Sequence, residues 1–359
     1  MDSTDQIRQQ VLQSFHDKTP FNITAGGSKN FLGVKAGLTD LDVSSHSGII
    51  SYEPSELVIT AKAGTTLAEL QSTLAEHKQM LPFEPPMFGD TATIGGTIAC
   101  GLSGPARPYI GAARDFVLGC TIINGSGQQM AFGGQVMKNV AGYDVTRLMT
   151  GAMGTLGIIL DVSMKVLPVT ETEMTLLQDT DVATAITTMQ SLAGKSLPVT
   201  ASAFYDGQLF YRLAGSPTAV QAAAADIGGN AVEDNTVWHR LREHKLDFFN
   251  RDNLNQSNMP LWRLSLPPLV PELDLPAATL YDWAGTQRWL YTDTDALMVR
   301  EIASKAGGTA QLFRASDKLK LSAGTNHPPS PAIMKLHHNL KKEFDPALIL
   351  NPGRLYAEL

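Results

Sequence analysis

Cysteine is scarce in this 359-residue sequence, which contains only Cys100 and Cys120. Neither cysteine belongs to a CxxC pair, and no histidine stands at ligand spacing beside them, so no metal site is indicated. Two thiols in so long a chain are typical of a reducing compartment, and we expect two small buried side chains. A disulfide or a metal pair is the alternative interpretation.

An excess of positive charge and long apolar runs are also lacking. The formal net charge is −7, and only 18% of the residues are charged, so no basic stripe is available to neutralise nucleic-acid phosphates. No apolar run approaches the roughly 20 residues that span a bilayer. The polar start, Met1–Asp5, predicts no signal peptide. We expect a cytoplasmic protein, and peripheral association with the inner face of the membrane through a partner stays open.

Glycine, in contrast, is concentrated in one region. Fifteen of the 31 glycines lie between Glu84 and Gly157, and they alternate with Ile, Leu, Val and Thr, unlike the glycines of a flexible linker. Such density indicates backbone packed closely against backbone or against a ligand. We therefore predict a folded, glycine-lined surface that holds a large flat cofactor, with tight packing alone as the alternative.

A second glycine pair follows a short predicted strand, Phe21–Thr24. Gly26 and Gly27 can turn successive main-chain N–H groups toward one anion, and Ser28, Lys29 and Asn30 supply further donors. The pattern is not G-x-G-x-x-G, which disfavours a Rossmann NAD site. An ordinary Gly-Gly turn is the alternative to a phosphate loop.

The first half of the chain otherwise alternates short helices and strands. Thr66 and Glu69 form a predicted capping box at the start of one helix. The predicted elements are a helix over Ile7–Phe15, a strand over Leu57–Ala61, a hairpin from Phe116 to Phe132 across Asn124–Gly127, a helix over Tyr143–Met149 and a strand over Ile158–Val166.

The composition changes after Pro168, where the glycine clusters end. The second half predicts a small antiparallel sheet backed by helices. The predicted elements are helices over Val182–Leu192, Thr218–Ile227, Thr236–Phe249 and Asp295–Ala306, a hairpin over Thr200–Leu213, strands around Trp289–Tyr291 and Thr309–Phe313, and a proline-rich surface connection over Leu266–Pro276.

Several motifs together resemble FAD-linked oxidases and dehydrogenases of the vanillyl-alcohol oxidase (PCMH) type, which include the FAD-binding subunits of bacterial glycolate oxidases. Each motif is weak alone, but their order and spacing are specific. The motifs are Gly26–Lys29, Gly89–Ala99, Lys138–Asp144, Gly154–Ile159 and Asn351–Arg354.

The resemblance implies an α+β fold with a two-lobed FAD-binding domain and an inserted α/β cap domain. The predicted segments are the FAD-binding domain at 1–168, the cap on the substrate side at 169–322, and a C-terminal segment at 323–359 that returns to the FAD-binding domain.

Bound FAD is the cofactor that the resemblance implies. Some relatives carry a histidine that bonds to the flavin after the glycines, and Ser28 in that position indicates non-covalent binding. Small residues of the Gly89–Ala99 run are expected to offer main-chain contacts to the cofactor. The predicted cofactor-binding residues are Gly26, Gly27, Ser28, Lys29, Asn30, Thr93, Ile94, Gly95, Gly96, Ala99, Ser103, Gly157 and Ile158.

Catalytic residues are less defined. Arg107 is a candidate for stabilising negative charge on the reduced cofactor or for binding a substrate carboxylate, with a surface arginine as the alternative. Arg354 is a candidate for binding a carboxylate, with an interface residue as the alternative. Lys138, Asn139, Tyr143 and Asp144 either order a loop near the cofactor or, for Asp144, cap a helix.

The resemblance implies a function in oxidising glycolate, a 2-hydroxy acid, to glyoxylate within a complex. The implied partners are a larger FAD-containing catalytic subunit and an iron–sulfur subunit that receives the electrons, because two cysteines cannot hold a cluster in this chain. The sequence lacks the His-x-Gly-Asp-Gly-Asn-x-His motif of related dehydrogenases, which favours a relay or assembly subunit over one with its own substrate site. A stand-alone FAD oxidase of another alcohol or of an amino-sugar nucleotide, and a scaffold without FAD, are the remaining hypotheses.

Overall fold

The computed structural model describes residues 3–35, 37–134, 144–250 and 259–359. Within these residues the helices are α1 (Thr4–Asp17), α2 (Leu67–Glu76), α3 (Ile94–Cys100), α4 (Arg107–Ile110), α5 (Ala113–Phe116), α6 (Val145–Met149), α7 (Val182–Ala193), α8 (Pro217–Ile227), α9 (Thr236–Arg242), α10 (Ala296–Lys305), α11 (Asp317–Ala323) and α12 (Pro331–Phe344).

The strands in the described residues are β1 (Asn22–Thr24), β2 (Asp40–Asp42), β3 (Ile49–Glu53), β4 (Val58–Lys62), β5 (Gln79–Met80), β6 (Val117–Ile123), β7 (Gln129–Gly133), β8 (Ile158–Lys165), β9 (Leu167–Pro168), β10 (Thr172–Asp179), β11 (Val199–Tyr205), β12 (Gln208–Gly215), β13 (Asn230–Val232), β14 (Leu261–Ser265), β15 (Thr279–Asp282), β16 (Gln287–Tyr291) and β17 (Thr309–Arg314).

The chain forms two compact units. Unit 1 combines 1–102, 112–168 and 328–359, and unit 2 combines 103–111 and 169–327. These boundaries differ from the predicted segments at two places, because residues 103–111 belong to unit 2 and unit 2 extends to His327.

Unit 1 is built on a five-stranded antiparallel sheet in the order β3-β4-β8-β6-β7. A two-stranded parallel sheet, β1-β2, and the small β5-β9 pair accompany it. A hydrophobic cluster joins Ile7 and Val11 of α1 to Ile158 of β8 and to Ile349 and Leu350 near the C-terminus. The C-terminal residues are therefore part of the core of unit 1.

Unit 2 is an eight-stranded antiparallel sheet in the order β13-β10-β12-β11-β15-β16-β14-β17. Helices α7 and α8 pack on strands β11 and β12, while α10 packs on β17, and each group encloses an apolar cluster. The sheet is larger than the small antiparallel sheet that the sequence predicts, because all eight strands after Pro168 join one continuous sheet.

One predicted helix is much shorter than expected. The charged pattern over Thr236–Phe249 predicts a single helix, but α9 ends at Arg242, and a short 3₁₀ turn follows at Asp247–Phe249. His244 has a left-handed backbone with φ of 54°, and its ring stacks on Phe249 with 4.0 Å between ring centroids. Burial of this ring pair ends the helix, since a continuous helix would direct the two rings to different positions.

The other predicted elements are observed with small changes at their ends. Thr66 caps α2 by accepting a hydrogen bond from the Glu69 N–H at 3.1 Å. The two predicted hairpins are formed by β6-β7 and by β11-β12. No helix in the described part of the chain is long and apolar enough to cross a membrane.

Candidate functional site

Unit 1 contains a partly open cavity with an empty volume of about 770 Å³, which includes some open solvent. The phosphate-loop candidate, helix α3, the start of β8 and the C-terminal residues Asn351 and Arg354 surround it. The charged side chains that line the cavity are Lys29 and Arg354, and no acidic residue lines it in the described part of the chain. In a chain of net charge −7, this cavity is electrostatically suited to an anionic ligand.

The glycine loop after β1 presents main-chain donors to the cavity. Among the described residues, no acceptor is found for the N–H groups of Gly26, Gly27 and Ser28, all of which line the cavity. Gly27 has φ of 72°, a left-handed conformation that glycine adopts without strain. The loop therefore has a left-handed glycine and, within the described part of the chain, unpaired donors of the kind that an anion-binding nest uses.

Lys29 adds a cationic side chain to this loop. It is 7% exposed, and its ammonium group lies 3.4 Å from both the Ser28 hydroxyl oxygen and the Met87 carbonyl oxygen. A lysine held in this way stays close to the loop, so its charge adds to that of the main-chain donors.

Helix α3 contributes shape to the cavity more than hydrogen-bond donors. The Ile94 N–H donates to the Thr65 carbonyl at 2.9 Å, the Gly95 N–H donates to the Ala63 carbonyl at 2.8 Å, and the Gly96 N–H donates to Thr93 Oγ1 at 3.2 Å. These groups are already paired within the protein. The main-chain contacts that the sequence predicts from them to the cofactor therefore cannot be made through these N–H groups.

Several glycines at the cavity are required by internal packing. A Cβ atom on Gly26 would overlap the Thr91 carbonyl oxygen, and one on Gly95 would lie 2.5 Å from the Cβ of Ala63. A Cβ on Gly157 would lie 2.9 Å from Cδ1 of Ile122. Tight packing, the alternative considered from the sequence, thus accounts for these three glycines without any ligand.

The predicted cofactor-binding residues line this cavity with two exceptions. Ile94 is 1% exposed in the core of unit 1, and Ser103 belongs to unit 2. Asp144 caps α6 by accepting a hydrogen bond from the Arg147 N–H at 3.3 Å, which is the capping alternative. Lys138, Asn139 and Tyr143 lie outside the described residues.

Arg354 is the catalytic candidate that the structure places at this cavity. Burial lowers the pKa of its guanidinium below the ordinary value, and the negative charges of Cys100 and Asp40 act in the opposite direction. Cys100 lines the same cavity, and burial raises the pKa of its thiol while the charges of Lys29 and Arg354 lower it. Both cysteines are free thiols, so they form no disulfide.

The sequence-based prediction missed several cavity residues. Ala63 and Cys100 line the cavity, as do Met153 and Gly154 in the turn before β8 and Asn351 near the C-terminus. Asn351 belongs to the Asn-Pro-Gly-Arg motif, and this motif was the available signal. The sequence of the motif did not show that the side chain of Asn351 lines the cavity.

Arg107, the second catalytic candidate, lies in unit 2 with its guanidinium 4.4 Å from the centre of the Trp283 ring. The Trp283 indole N–H donates to the Gly104 carbonyl at 2.9 Å, which ties the same segment to the hairpin between β15 and β16. Arg263 lies nearby, and burial together with the charge of Arg107 lowers its pKa to about 10. The Arg263 guanidinium lies 5.5 Å from the centre of the Phe313 ring.

Residues 1–133 match the family model described as FAD binding domain. The structure is similar to p-cresol methylhydroxylase with substrate bound, with a TM-score of 0.73, 16% identity, and coverage of 100% of this chain and 88% of that one. It also matches alkyldihydroxyacetonephosphate synthase, with a TM-score of 0.68, 15% identity, and coverage of 97% of this chain and 75% of that one.

Relatives in sequence narrow the class further. The chain is 42% identical to the glycolate oxidase subunit GlcE of Escherichia coli (strain K12), over 100% of this chain and 99% of the relative. It is 29% identical to the glycolate oxidase subunit GlcD of Bacillus subtilis (strain 168), over 55% of this chain and 43% of the relative. A D-lactate dehydrogenase of Anaerostipes hadrus is 28% identical over 49% of this chain and 37% of the relative.

The solved structures share the mixed α+β architecture that the sequence predicts, and with the matching FAD-binding model they define a fold of the PCMH FAD-binding type. Within that class, the chain belongs to the family of the glycolate oxidase subunit GlcE.

Proposed function

We propose that this chain binds FAD non-covalently in the cavity of unit 1 and acts as a subunit of a glycolate-oxidising complex. The observation that carries the proposal is the composition of the cavity, which combines unpaired main-chain N–H groups, Lys29 and Arg354, with no acidic residue lining it in the described part of the chain. A dinucleotide pyrophosphate is the group that this arrangement suits best, since it is anionic and needs several donors at one place.

Different residues contact different parts of FAD in this proposal. The N–H groups of Gly26, Gly27 and Ser28, with the ammonium group of Lys29, bind the pyrophosphate. Helix α3 and Gly157 supply a flat wall of small residues. Arg354 supplies a positive charge that favours the reduced, anionic form of the cofactor. Bound FAD supplies the oxidising power and the ability to release electrons singly.

Unit 1 is then the FAD-binding domain, and unit 2 is the cap on the substrate side. Within unit 2, Arg107 is the candidate for binding the carboxylate of a small acid in the version of the proposal in which this chain has its own substrate site. Trp283 holds Arg107 by a cation–π contact, which fixes the direction of its guanidinium.

The complex requires partners. The similarity to the glycolate oxidase subunits GlcE and GlcD supports a place in a complex with further subunits. The partners that we propose are a larger FAD-containing subunit and an iron–sulfur subunit that accepts the electrons. Two cysteines are fewer than the four thiolates that a cluster commonly needs, so the cluster belongs to another chain. We place the complex in the cytoplasm, with peripheral association with the membrane through a partner.

The first experiment is a titration of the purified full chain with FAD, followed by acid precipitation. We expect binding of one FAD with quenched fluorescence, and all flavin in the supernatant after precipitation. Flavin that stays with the protein pellet would contradict non-covalent binding. A chain that binds no FAD would support the scaffold hypothesis instead.

The second experiment separates a substrate site in this chain from an electron relay. The FAD-loaded chain is mixed anaerobically with glycolate and then with dithionite, and the visible flavin absorbance is followed. Loss of absorbance with glycolate would show that this chain has its own dehydrogenase site. In that case, Arg107→Met should raise the KM for glycolate. Loss with dithionite alone shows a relay or assembly subunit, which the missing His-Gly-Asp-Gly-Asn motif favours.

A further inference from the structure

Asn351 connects two edges of the cavity through its side chain. Its Oδ1 accepts a hydrogen bond from the main-chain N–H of Ile23 at 2.6 Å, and its Nδ2 donates to the carbonyl of Met153 at 2.7 Å. Ile23 lies in β1, just before the glycine loop, and Met153 lies in the turn before β8. Asn351 is 6% exposed, and all three residues line the cavity. One amide group therefore fixes the distance between two segments that face the same ligand space.

The backbone of Asn351 is adapted to this role. Its φ is 45°, in the left-handed region that asparagine tolerates better than most residues. Its N–H donates to the carbonyl of Phe21 at 3.2 Å, and its own carbonyl accepts from the N–H of Arg354 at 3.2 Å. The same turn that inserts the amide between the two edges therefore also brings Arg354 to the cavity.

A buried ion pair supports this turn from the adjoining end of α12. Lys341 and Asp345 are separated by 2.7 Å, with side chains 2% and 0% exposed. Asp345 accepts from the N–H groups of Ile349 at 3.1 Å and Leu350 at 2.8 Å. Lys341 also donates to the carbonyls of Thr155 and Leu350, at 2.9 and 2.7 Å. The pair thus fastens the C-terminal segment to the turn that Asn351 contacts.

We propose that Asn351 is a positioning residue for the cofactor, which sets the spacing between the glycine loop and the Met153–Gly154 turn and places Arg354 beside the bound ligand. The inference rests on the proposed binding of FAD in this cavity. Asn351 acts through the main chain of Ile23 and Met153 and through the position of Arg354, and no chemistry at the amide itself is required.

The test uses Asn351→Gly in the full-length chain. Glycine adopts the left-handed conformation freely, so this change removes the two side-chain hydrogen bonds without adding backbone strain. We expect the Kd for FAD to rise about tenfold to a hundredfold, from the loss of two buried hydrogen bonds that preorganise the cavity. At saturating FAD, the visible circular dichroism of the bound flavin should also change, because the two edges of the cavity move.

Leu348→Gly is the matched control. Leu348 also has a left-handed backbone, with φ of 56°, and lies in the same segment, but its side chain is 55% exposed and does not line the cavity. Asn351→Asp is the second variant, and it replaces Asn351→Gly as the test if that variant does not fold. It keeps the acceptor for Ile23 but loses the donor to Met153 and brings a carboxylate into a cationic cavity, so its Kd should also rise.

The outcomes are distinct. If wild type binds FAD and the Asn351 variants bind it within twofold of wild type with the same circular dichroism, the positioning role is overturned while the proposed function stands. If the Kd of Leu348→Gly rises as much as that of Asn351→Gly, the effect is a general loosening of the segment, and the inference also fails. If wild type binds no FAD, the proposed function fails, and this inference fails with it.

Discussion

Two neighbouring glycines of α3 have different physical reasons to be glycine. Gly95 faces the protein, where a Cβ atom would lie 2.5 Å from Cβ of Ala63. Gly96 faces more open space, where the nearest atom to an added Cβ is Thr93 Oγ1 at 3.2 Å. Both line the cavity, but only the second can accept a methyl group with a small adjustment.

Alanine substitutions separate these two roles. Gly95→Ala should lower the free energy of unfolding by about 1–3 kcal/mol through overpacking. Gly96→Ala should leave stability within about 1 kcal/mol of wild type, because the gain in helix propensity offsets the small clash. Gly96 lines the cavity, however, so the added methyl group should raise the Kd for FAD. Urea unfolding and FAD titration of both variants test this, and equal loss of stability in both would contradict the distinction.

The two cysteines provide a second test at this scale. Cys100 lines the cavity, whereas Cys120 is buried in β6, where burial and the charges of Asp161 and Asp144 raise its pKa to about 12. We expect both thiols to react slowly with iodoacetamide at pH 8, because little thiolate forms. Bound FAD should slow the reaction of Cys100 further and leave the rate of Cys120 unchanged. Mass spectrometry of peptides with and without FAD measures this. Equal protection of both cysteines would place the ligand elsewhere.

At the scale of elements, the C-terminal end of α12 shows how one helix supports the cavity. Lys341 is the buried residue of this helix, and its three hydrogen-bond acceptors belong to Asp345, Thr155 and Leu350. Helical periodicity does not predict this, because a lysine is normally assigned to the exposed face. The apolar residues Ile333 and Leu336 of the same helix are instead 47% and 57% exposed.

Lys341→Met should therefore be strongly destabilising. It leaves the carboxylate of Asp345 buried without its cation, which costs about 3–5 kcal/mol of the free energy of unfolding. Adding Asp345→Asn should restore part of the loss, because it removes the uncompensated charge. Lys342→Met, at an exposed position of the same helix, is the control, with an expected change within about 0.5 kcal/mol. A loss of less than about 1 kcal/mol in Lys341→Met, measured by urea unfolding, would show that the pair adds little.

Elements with strong local signals could be predicted from the sequence. The Thr66 cap, the Asn124–Gly127 turn and the turn of the Thr200–Leu213 hairpin each fix a boundary by interactions within a few residues. The end of α9 could not be predicted, since His244 leaves helical geometry in order to pack against Phe249 and Trp289. Trp289 is distant in sequence and contributes nothing to a local pattern.

At the scale of the whole molecule, buried acidic groups with raised pKa values determine the response to alkaline pH. Burial raises the pKa of Cys120 from 9.0 to about 12 and that of Tyr109 from 10.0 to about 12. In each case the folded-state pKa exceeds the unfolded value, so the unfolded chain loses its proton first as pH rises. The stabilising contribution is complete below pH 9 and is lost as pH rises toward 12.

We expect the free energy of unfolding to decrease between pH 9 and 12, by at most about 1.4 kcal/mol per pH unit for each group. Cys120→Ala and Tyr109→Phe should each reduce that slope, because each removes one titrating group. Urea unfolding of the three proteins at several pH values measures it. An unchanged slope in both variants would show that other groups control the alkaline transition.

The sequence by itself determined the class of the protein and named part of the residues that line the cavity. Glycine spacing and the donors after Gly26 are local properties that indicated a cofactor cavity, and the order of the motifs resembles that of FAD-linked α+β proteins. The tertiary structure decided which of these residues contribute donors to the cavity. The N–H groups of Ile94, Gly95 and Gly96 are paired within the protein, while those of Gly26, Gly27 and Ser28 have no acceptor among the described residues.

The tertiary structure alone also brought segments that are distant in sequence together near the cavity. Asn351 reaches Ile23, which lies 328 positions earlier, and Lys341 reaches Thr155, which lies 186 positions earlier. Hydrogen bonds across such separations depend on how the strands and helices pack, and no periodicity or local propensity encodes them. The resemblance of the motifs therefore indicates the class of the protein, whereas packing across the chain places the side chains that line the cavity.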